Sequence, residues 1–294
     1  MKRIAVIVIG SNSTRLLAAD ANKELSNELR GRVETRLFLG MTDDGMLNAQ
    51  AMQYTSQSVA DLKRRAENTG AELLGVYATS ASRDAKNSRE LSALIEGATG
   101  HPLTILSGEE EASYSFFGAA GDEECGVIDI GGGSTEIVLG CSMDISIAHS
   151  LQLGASRLYK MQPINSKEDI TKAISIAKSI IRTLPQQLLE HRDTGTFYLI
   201  GGTGTSTARV LGNVPEGCLL TRDTLENTLA RIADTPREER ASIPGFPPSR
   251  IDILPTGMAI LLAVFDELRL NRIQVTERVN ADGLLRAFVH KKFA

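Results

Sequence analysis

The chain has 294 residues, 42% hydrophobic and 23% charged, with a formal net charge of −4. That balance is ordinary for a soluble globular protein and excludes a globally basic binder of nucleic acid or anionic lipid, so a polyanion would have to be held by a local basic cleft and metal ions. The length suits two domains of about 120–170 residues better than one core.

Cys125, Cys141 and Cys218 show no CxxC spacing, and His101, His149, His191 and His290 are scattered. Neither a disulfide framework nor a zinc cluster is expected. The apolar run after Lys2 and Arg3 covers only residues 4–9, too short for a signal peptide or a membrane span. A cytoplasmic location is expected, without a membrane or nucleic-acid partner.

In chain order, strands are predicted over 4–9, 15–19 and 32–39, the first two joined by a Ser-Asn-Ser turn. Met52, Val59, Leu62 and Ala66 mark a helix over 49–69 that Gly70 stops. A short buried strand over 73–78 leads through a polar run, 79–87, into a helix over 88–98, with Gly100 after it. A strand over 103–106 and a helix over 108–117 follow. The second half repeats this theme, with strands over 126–130, 135–139 and 145–149. Ile170, Ala173, Ile174, Ala177, Ile180, Ile181 and Leu184 then trace a helical stripe that ends before Pro185. A strand over 197–200 meets a loop over 201–205, and the proline-rich 243–248 reads as a stiff surface loop. Helix 256–268, strand 272–276 and helix 281–289 complete the chain. Such an order of strands and crossover helices suits mixed sheets covered on both faces.

The chemistry concentrates in residues 127–138, VIDIGGGSTEIV. Two β-prone runs flank a turn of Gly131, Gly132 and Gly133, whose backbone N–H groups form a concavity suited to phosphate. Asp129 stands just before the turn and Glu136 just after it. Residues 6–17, VIVIGSNSTRLL, repeat this hairpin at an offset of 121, with six of twelve positions identical: Val6/Val127, Ile7/Ile128, Ile9/Ile130, Gly10/Gly131, Ser13/Ser134 and Thr14/Thr135. A duplicated phosphate hairpin opening each half of the chain is the reading that follows.

This pair of hairpins resembles those of the actin, sugar-kinase and heat-shock-chaperone superfamily. The segments YATSASRDA (77–85), SGEEEA (107–112), SLQLGA (150–155), IGGTGT (200–205) and RIDIL (250–254) narrow the resemblance to the exopolyphosphatase/guanosine pentaphosphate phosphohydrolase (Ppx/GppA) family. It implies an α/β fold of two ribonuclease-H-like (actin-like) domains, 1–122 and 123–294, facing an interdomain cleft. It also implies Mg²⁺-assisted attack of water on a terminal phosphoryl group of polyphosphate or of a phosphorylated nucleotide such as guanosine pentaphosphate. Glu111 stands at the position of the family's catalytic base. Asp129 and Glu136 match its acidic, metal-holding residues. Ser11, Asn12, Ser13, Gly131, Gly132, Gly133 and Ser134 would donate to phosphoryl oxygens, and Arg83 would neutralise charge on the transferred group. Gly201, Gly202 and Gly204 are either phosphate-approaching glycines or plain turn residues. Homodimerisation is left open.

Two local readings compete at residues 107–111. Ser107 and Glu110 have the spacing of a capping box, which gives Glu110 a structural task, and Glu109 reads as a solvated first-turn carboxylate. Two departures bear on activity. The internal repeat pairs Val8 with Asp129, so the first hairpin lacks a carboxylate, and the family's Arg-Glu-Gly is Ala281-Asp282-Gly283 here. Val8 favours the alternative of a catalytically weakened sensor that binds a nucleotide or polyphosphate without turnover. A small-molecule kinase of the same superfamily is a further rival, against which the retained Glu111 speaks for water as acceptor.

Overall fold

The computed structural model describes residues 2–22, 25–190 and 195–293. His191, read above as an isolated histidine, lies outside them. In chain order the strands and α-helices are β1 (Lys2–Ile9), β2 (Thr14–Ala21), β3 (Leu25–Val33), α1 (Ala49–Glu67), β4 (Glu72–Ala78), α2 (Ser80–Asp84), α3 (Ser88–Thr99), β5 (Leu103–Ile105), α4 (Gly108–Ala119), β6 (Glu124–Ile130), β7 (Thr135–Cys141), β8 (Asp144–Leu151), α5 (Ala155–Met161), α6 (Lys167–Ile181), α7 (Gln186–Leu189), β9 (Thr196–Ile200), α8 (Gly201–Val210), β10 (Leu219–Thr221), α9 (Arg222–Asp234), α10 (Ile253–Glu267), β11 (Arg272–Val275) and α11 (Asn280–Phe293). The chain divides into two compact units, Met1–Gly118 with Asn280–Ala294, and Ala119–Val279.

Among the described residues the first unit carries one sheet in the order β3-β2-β1-β4-β5. The β1–β2 and β2–β3 pairs are antiparallel, while β1–β4 and β4–β5 are parallel. β1 is buried along both faces. Ala5, Ile7 and Ile9 share a core with Val59, Leu62 and Ala66 of α1, and the alternate residues Ile4, Val6 and Val8 are buried too. α1 starts where the Asn48 side chain accepts from the Ala51 N–H, and the chain turns after it at Gly70, whose φ of 76° suits glycine.

The second unit repeats this plan. Its sheet runs β10-β11-β9-β6-β7-β8. Read from the far edge, β8-β7-β6-β9-β11 matches β3-β2-β1-β4-β5 in order and in direction at every pairing. The repeat seen in twelve residues therefore extends to five strands of each sheet, with β10 added at the edge of the second. Its core is organised by α10, in which every residue from Ile253 to Phe265 is buried. A helix apolar all round has to lie inside, and α5, α6, α8 and α9 pack against it.

Asp266, near the end of α10, receives Arg222 Nε and Lys178 Nζ, each at 2.7 Å. Burial alone would raise this carboxyl, but the two cations outweigh it and hold it below its ordinary value of 3.8. A depressed carboxyl stabilises the fold above that value and ceases to do so as pH falls below it. Asp266→Asn is therefore expected to cost on the order of 1 kcal/mol at neutral pH. In urea titrations the deficit should shrink in acid below the ordinary carboxyl value. A deficit that ignores pH would assign the effect to packing instead.

Several expected elements differ. The strand predicted over 32–39 is the end of β3 followed by a 3₁₀ turn, Leu37–Gly40. Arg36 breaks the strand with a left-handed φ of 48°, held because its N–H donates to the Asn12 carbonyl at 2.9 Å. The polar run 79–87 contains the short helix α2, and the glycine-rich 201–205 is the start of α8 instead of a loop. α9 was not foreseen, although Leu225, Leu229 and Ile232 form a buried i, i+4, i+7 stripe in it.

The largest correction concerns the last helix. A second domain running unbroken over 123–294 is not what the chain forms, because α11 returns to the first unit. Asp282 is fully buried and accepts from Arg30 Nη1 at 3.1 Å and Nη2 at 2.5 Å, an ion pair 252 residues apart in sequence. Gly283 lies so close to the Tyr114 carbonyl that a Cβ would sit 1.8 Å from its oxygen. Among the described residues no helix is long and apolar enough to cross a membrane.

Candidate functional site

In the second unit, β6 and β7 bring Asp129 and Glu136 directly opposite each other in the antiparallel register. Both are largely buried, and Glu136 Oε1 accepts from Ser150 Oγ at 2.7 Å. Directly opposed like charges repel. A pair of carboxylates in that position therefore favours a cation or a shared proton.

The adjoining turn closes with a 3.0 Å bond from the Gly131 N–H to the Ser134 carbonyl. Its other carbonyls all face α5. Gly131 O accepts from Ala155 N at 2.9 Å, and Gly132 O from Ser156 N at 2.8 Å and Arg157 N at 3.0 Å. Gly133 O accepts from Arg157 Nε at 2.7 Å. In a trans peptide the N–H points opposite to the C=O. The N–H groups of Gly132, Gly133 and Ser134 therefore all point away from α5, the arrangement of an anion-binding nest. Gly154 permits this close seating, since a Cβ there would lie 2.4 Å from the carbonyl carbon and oxygen of Gly132.

The glycines at the start of α8 have distinct reasons. Gly201 has a φ of 84°, and a Cβ on it would meet Asp129 Oδ1 at 2.7 Å, so it backs the carboxylate pair. Gly202 lies beneath the buried Arg250, whose Nη2 would be 1.7 Å from a Cβ. Gly204 is accounted for by packing alone, against Leu199. Thr203 Oγ1 donates to the Ile130 carbonyl at 3.2 Å and ties α8 to the end of β6.

In the first unit the equivalent hairpin has the same closure, from Gly10 N to Ser13 O at 3.0 Å. Ser11 O accepts from Phe38 N at 2.8 Å and Asn12 O from Arg36 N at 2.9 Å. The same peptide geometry turns the Asn12 and Ser13 N–H groups the other way. Ser11, Asn12 and Ser13 are buried, and Asn12 Nδ2 donates to Glu34 while its Oδ1 is a buried oxygen with no hydrogen-bond partner. Where the second hairpin opposes Asp129 and Glu136, this one opposes Val8 and Arg15. It has anion-binding backbone without a carboxylate pair.

The first unit also resolves the competition at residues 107–111. Ser107 N donates to Glu110 Oε2 at 2.8 Å and Glu110 N to Ser107 Oγ at 3.1 Å, so the capping box forms and Glu110 stays exposed. Glu109 is exposed as well. Glu111 is turned inward, 5% exposed, and Arg83 Nη1 donates to its Oε2 at 3.1 Å and to the Leu106 carbonyl at 2.7 Å. Arg83 Nη2 is buried with no hydrogen-bond partner. Arg83 thus orients Glu111 and still holds an N–H donor in reserve.

Among the described residues no group of three or more His, Cys, Asp and Glu side chains is placed to hold a metal ion. Mg²⁺ seldom needs one, because one or two carboxylates, waters and substrate phosphates complete its shell. The hard oxygens of Asp129 and Glu136, opposed beside an anion nest, fit that requirement. Ser150, Gly154, Arg157 and Arg250 were given no role from sequence, although three of them lie in or beside the SLQLGA segment and the fourth opens RIDIL.

A model of the Ppx/GppA phosphatase family matches residues 17–292. Among solved structures, an exopolyphosphatase-like protein superposes with a TM-score of 0.89 at 22% identity, covering 99% of this chain and 100% of that one. An exopolyphosphatase from Cytophaga hutchinsonii does so at 0.88 and 20%, covering 99% and 98%. The Aquifex aeolicus PPX-GPPA enzyme gives 0.80 and 24%, covering 97% and 99%. The two mixed-sheet units are those of a two-domain, actin-like α/β fold.

Proposed function

The chain belongs to the Ppx/GppA phosphatase family, and from that premise we propose that it is an exopolyphosphatase-type phosphohydrolase. It releases orthophosphate from the end of inorganic polyphosphate, with guanosine pentaphosphate as a second substrate. The observation that carries this reading is the second hairpin, whose outward N–H groups lie beside the opposed Asp129 and Glu136.

Water attacks the terminal phosphorus, the bridging P–O bond breaks, and Glu111 takes the proton that the water gives up. Arg83 holds the Glu111 carboxylate in place. The Gly132, Gly133 and Ser134 N–H groups bind phosphoryl oxygens, as do Ser11, Asn12 and Ser13 of the first hairpin. Asp129 and Glu136 would hold Mg²⁺, which supplies neutralisation of the phosphate charge when bound. Phosphoryl transfer of this kind demands positioning and charge stabilisation more than covalent help.

The test is orthophosphate release from long-chain polyphosphate with and without Mg²⁺. Mg²⁺-dependent release is the expected result. Ligand-dependent thermal stabilisation without release would favour the binding-only alternative. Val8 leaves one hairpin without a ligating carboxylate but removes none of Glu111, Asp129 and Glu136, so hydrolysis has the greater support.

A further inference from the structure

We propose that Arg157 is a positioning residue for the phosphate-cradling turn, setting the direction of the Ser134 N–H through its bond to the Gly133 carbonyl. Three consecutive glycines have no side chains with which to fix themselves, and they carry the largest conformational freedom of any residues. The turn must be held from outside. Gly131 O and Gly132 O are held by backbone N–H groups of residues 155–157, which almost any sequence would supply. Gly133 O is held by a side chain, Arg157 Nε, at 2.7 Å.

The guanidinium is itself fixed, because Nη2 donates to Gln152 Oε1 at 2.8 Å. Arg157 therefore grips both halves of the turn, through its backbone N–H to Gly132 O and through its side chain to Gly133 O. The peptide joining Gly133 to Ser134 cannot rotate its N–H away from the nest without breaking a charge-assisted bond. Arg157 does this from the carbonyl side of the turn, opposite the nest.

The kinetic part of the test rests on the phosphohydrolase reading, and a second part does not. Arg157→Met keeps the stem length without a donor, and Arg157→Lys keeps a charged donor near Gly133 O. With polyphosphate and Mg²⁺, the methionine variant is expected to raise KM about tenfold with kcat little changed, because the loosened turn N–H groups bind ground and transition states alike. The lysine variant should recover most of that loss. By hydrogen exchange, the amides of Gly131, Ala155 and Ser156, which close and seat the turn, should exchange roughly tenfold faster in the methionine variant, while β6 and β9 keep their protection. Unchanged exchange, or protection lost across the whole second unit, would overturn the proposal. So would a fall in kcat at constant KM. If the parent protein releases no phosphate, the functional reading alone fails, and the exchange data still decide the role of Arg157.

Discussion

Glu111→Gln is expected to cut orthophosphate release from polyphosphate by a factor of about 10²–10⁴, the usual contribution of a positioned general base. The fold should survive the change. Glutamine has the same shape, and its carbonyl oxygen can still accept from Arg83 Nη1, which now donates to Glu111 Oε2 at 3.1 Å. Replacing a charge-assisted bond by a neutral one costs about 1 kcal/mol, too little to empty the native state. Glu110→Gln is the matched control. It lies one residue away on the same helix, is exposed, and can keep its bond to the Ser107 N–H. Turnover lost in the first variant and kept in the second would separate the base from the cap. Equal losses in both would mean that α4 itself had been damaged, and unchanged turnover in Glu111→Gln would remove Glu111 from the base role.

That pair of neighbouring glutamates also shows where sequence reasoning stops. Spacing identifies the capping box, since Ser107 and Glu110 are local partners. It cannot say which way Glu111 points, because the residue that meets it, Arg83, is supplied by another element and is itself held by the Leu106 carbonyl. The duplicated hairpin was legible for the opposite reason. Strand, turn and strand are contiguous, so a run of twelve residues contains the whole unit, and the shared register of Ile9 with Thr14 and of Ile130 with Thr135 follows from it.

Elements decided by distant partners were misread. Residues 32–39 include the β-prone Val33, Thr35 and Phe38, but the Asn12 carbonyl captures the Arg36 N–H and turns the chain. The last helix has an ordinary pattern that says nothing of its destination. That is set by Arg30, which reaches Asp282 across 252 residues. Arg157 was missed for the same reason, since its acceptor Gly133 lies 24 residues earlier.

The carboxylate pair gives the other large effect. Asp129→Asn is expected to abolish Mg²⁺-dependent thermal stabilisation and to lower turnover by roughly 10²–10³, since a metal's charge stabilisation is worth several kcal/mol. In the absence of Mg²⁺ the sign reverses. Asp129 and Glu136 are directly opposed, so removing one charge relieves a like-charge pair and should leave the metal-free variant as stable as the parent, or more stable by about 0.2–1 kcal/mol. Melting curves with and without MgCl₂ read both arms. A variant less stable than the parent without Mg²⁺ would mean that Asp129 serves chiefly as a structural acceptor near Gly201. A Mg²⁺ shift that persists would place the ion elsewhere. It would not place it on the Val8–Arg15 pair of the first hairpin, because neither an alkyl group nor a guanidinium can ligate a cation. The two hairpins share one backbone and differ in what their opposed side chains can hold, so on this reading both bind phosphate and the opposed carboxylate pair that would hold a metal belongs to the second.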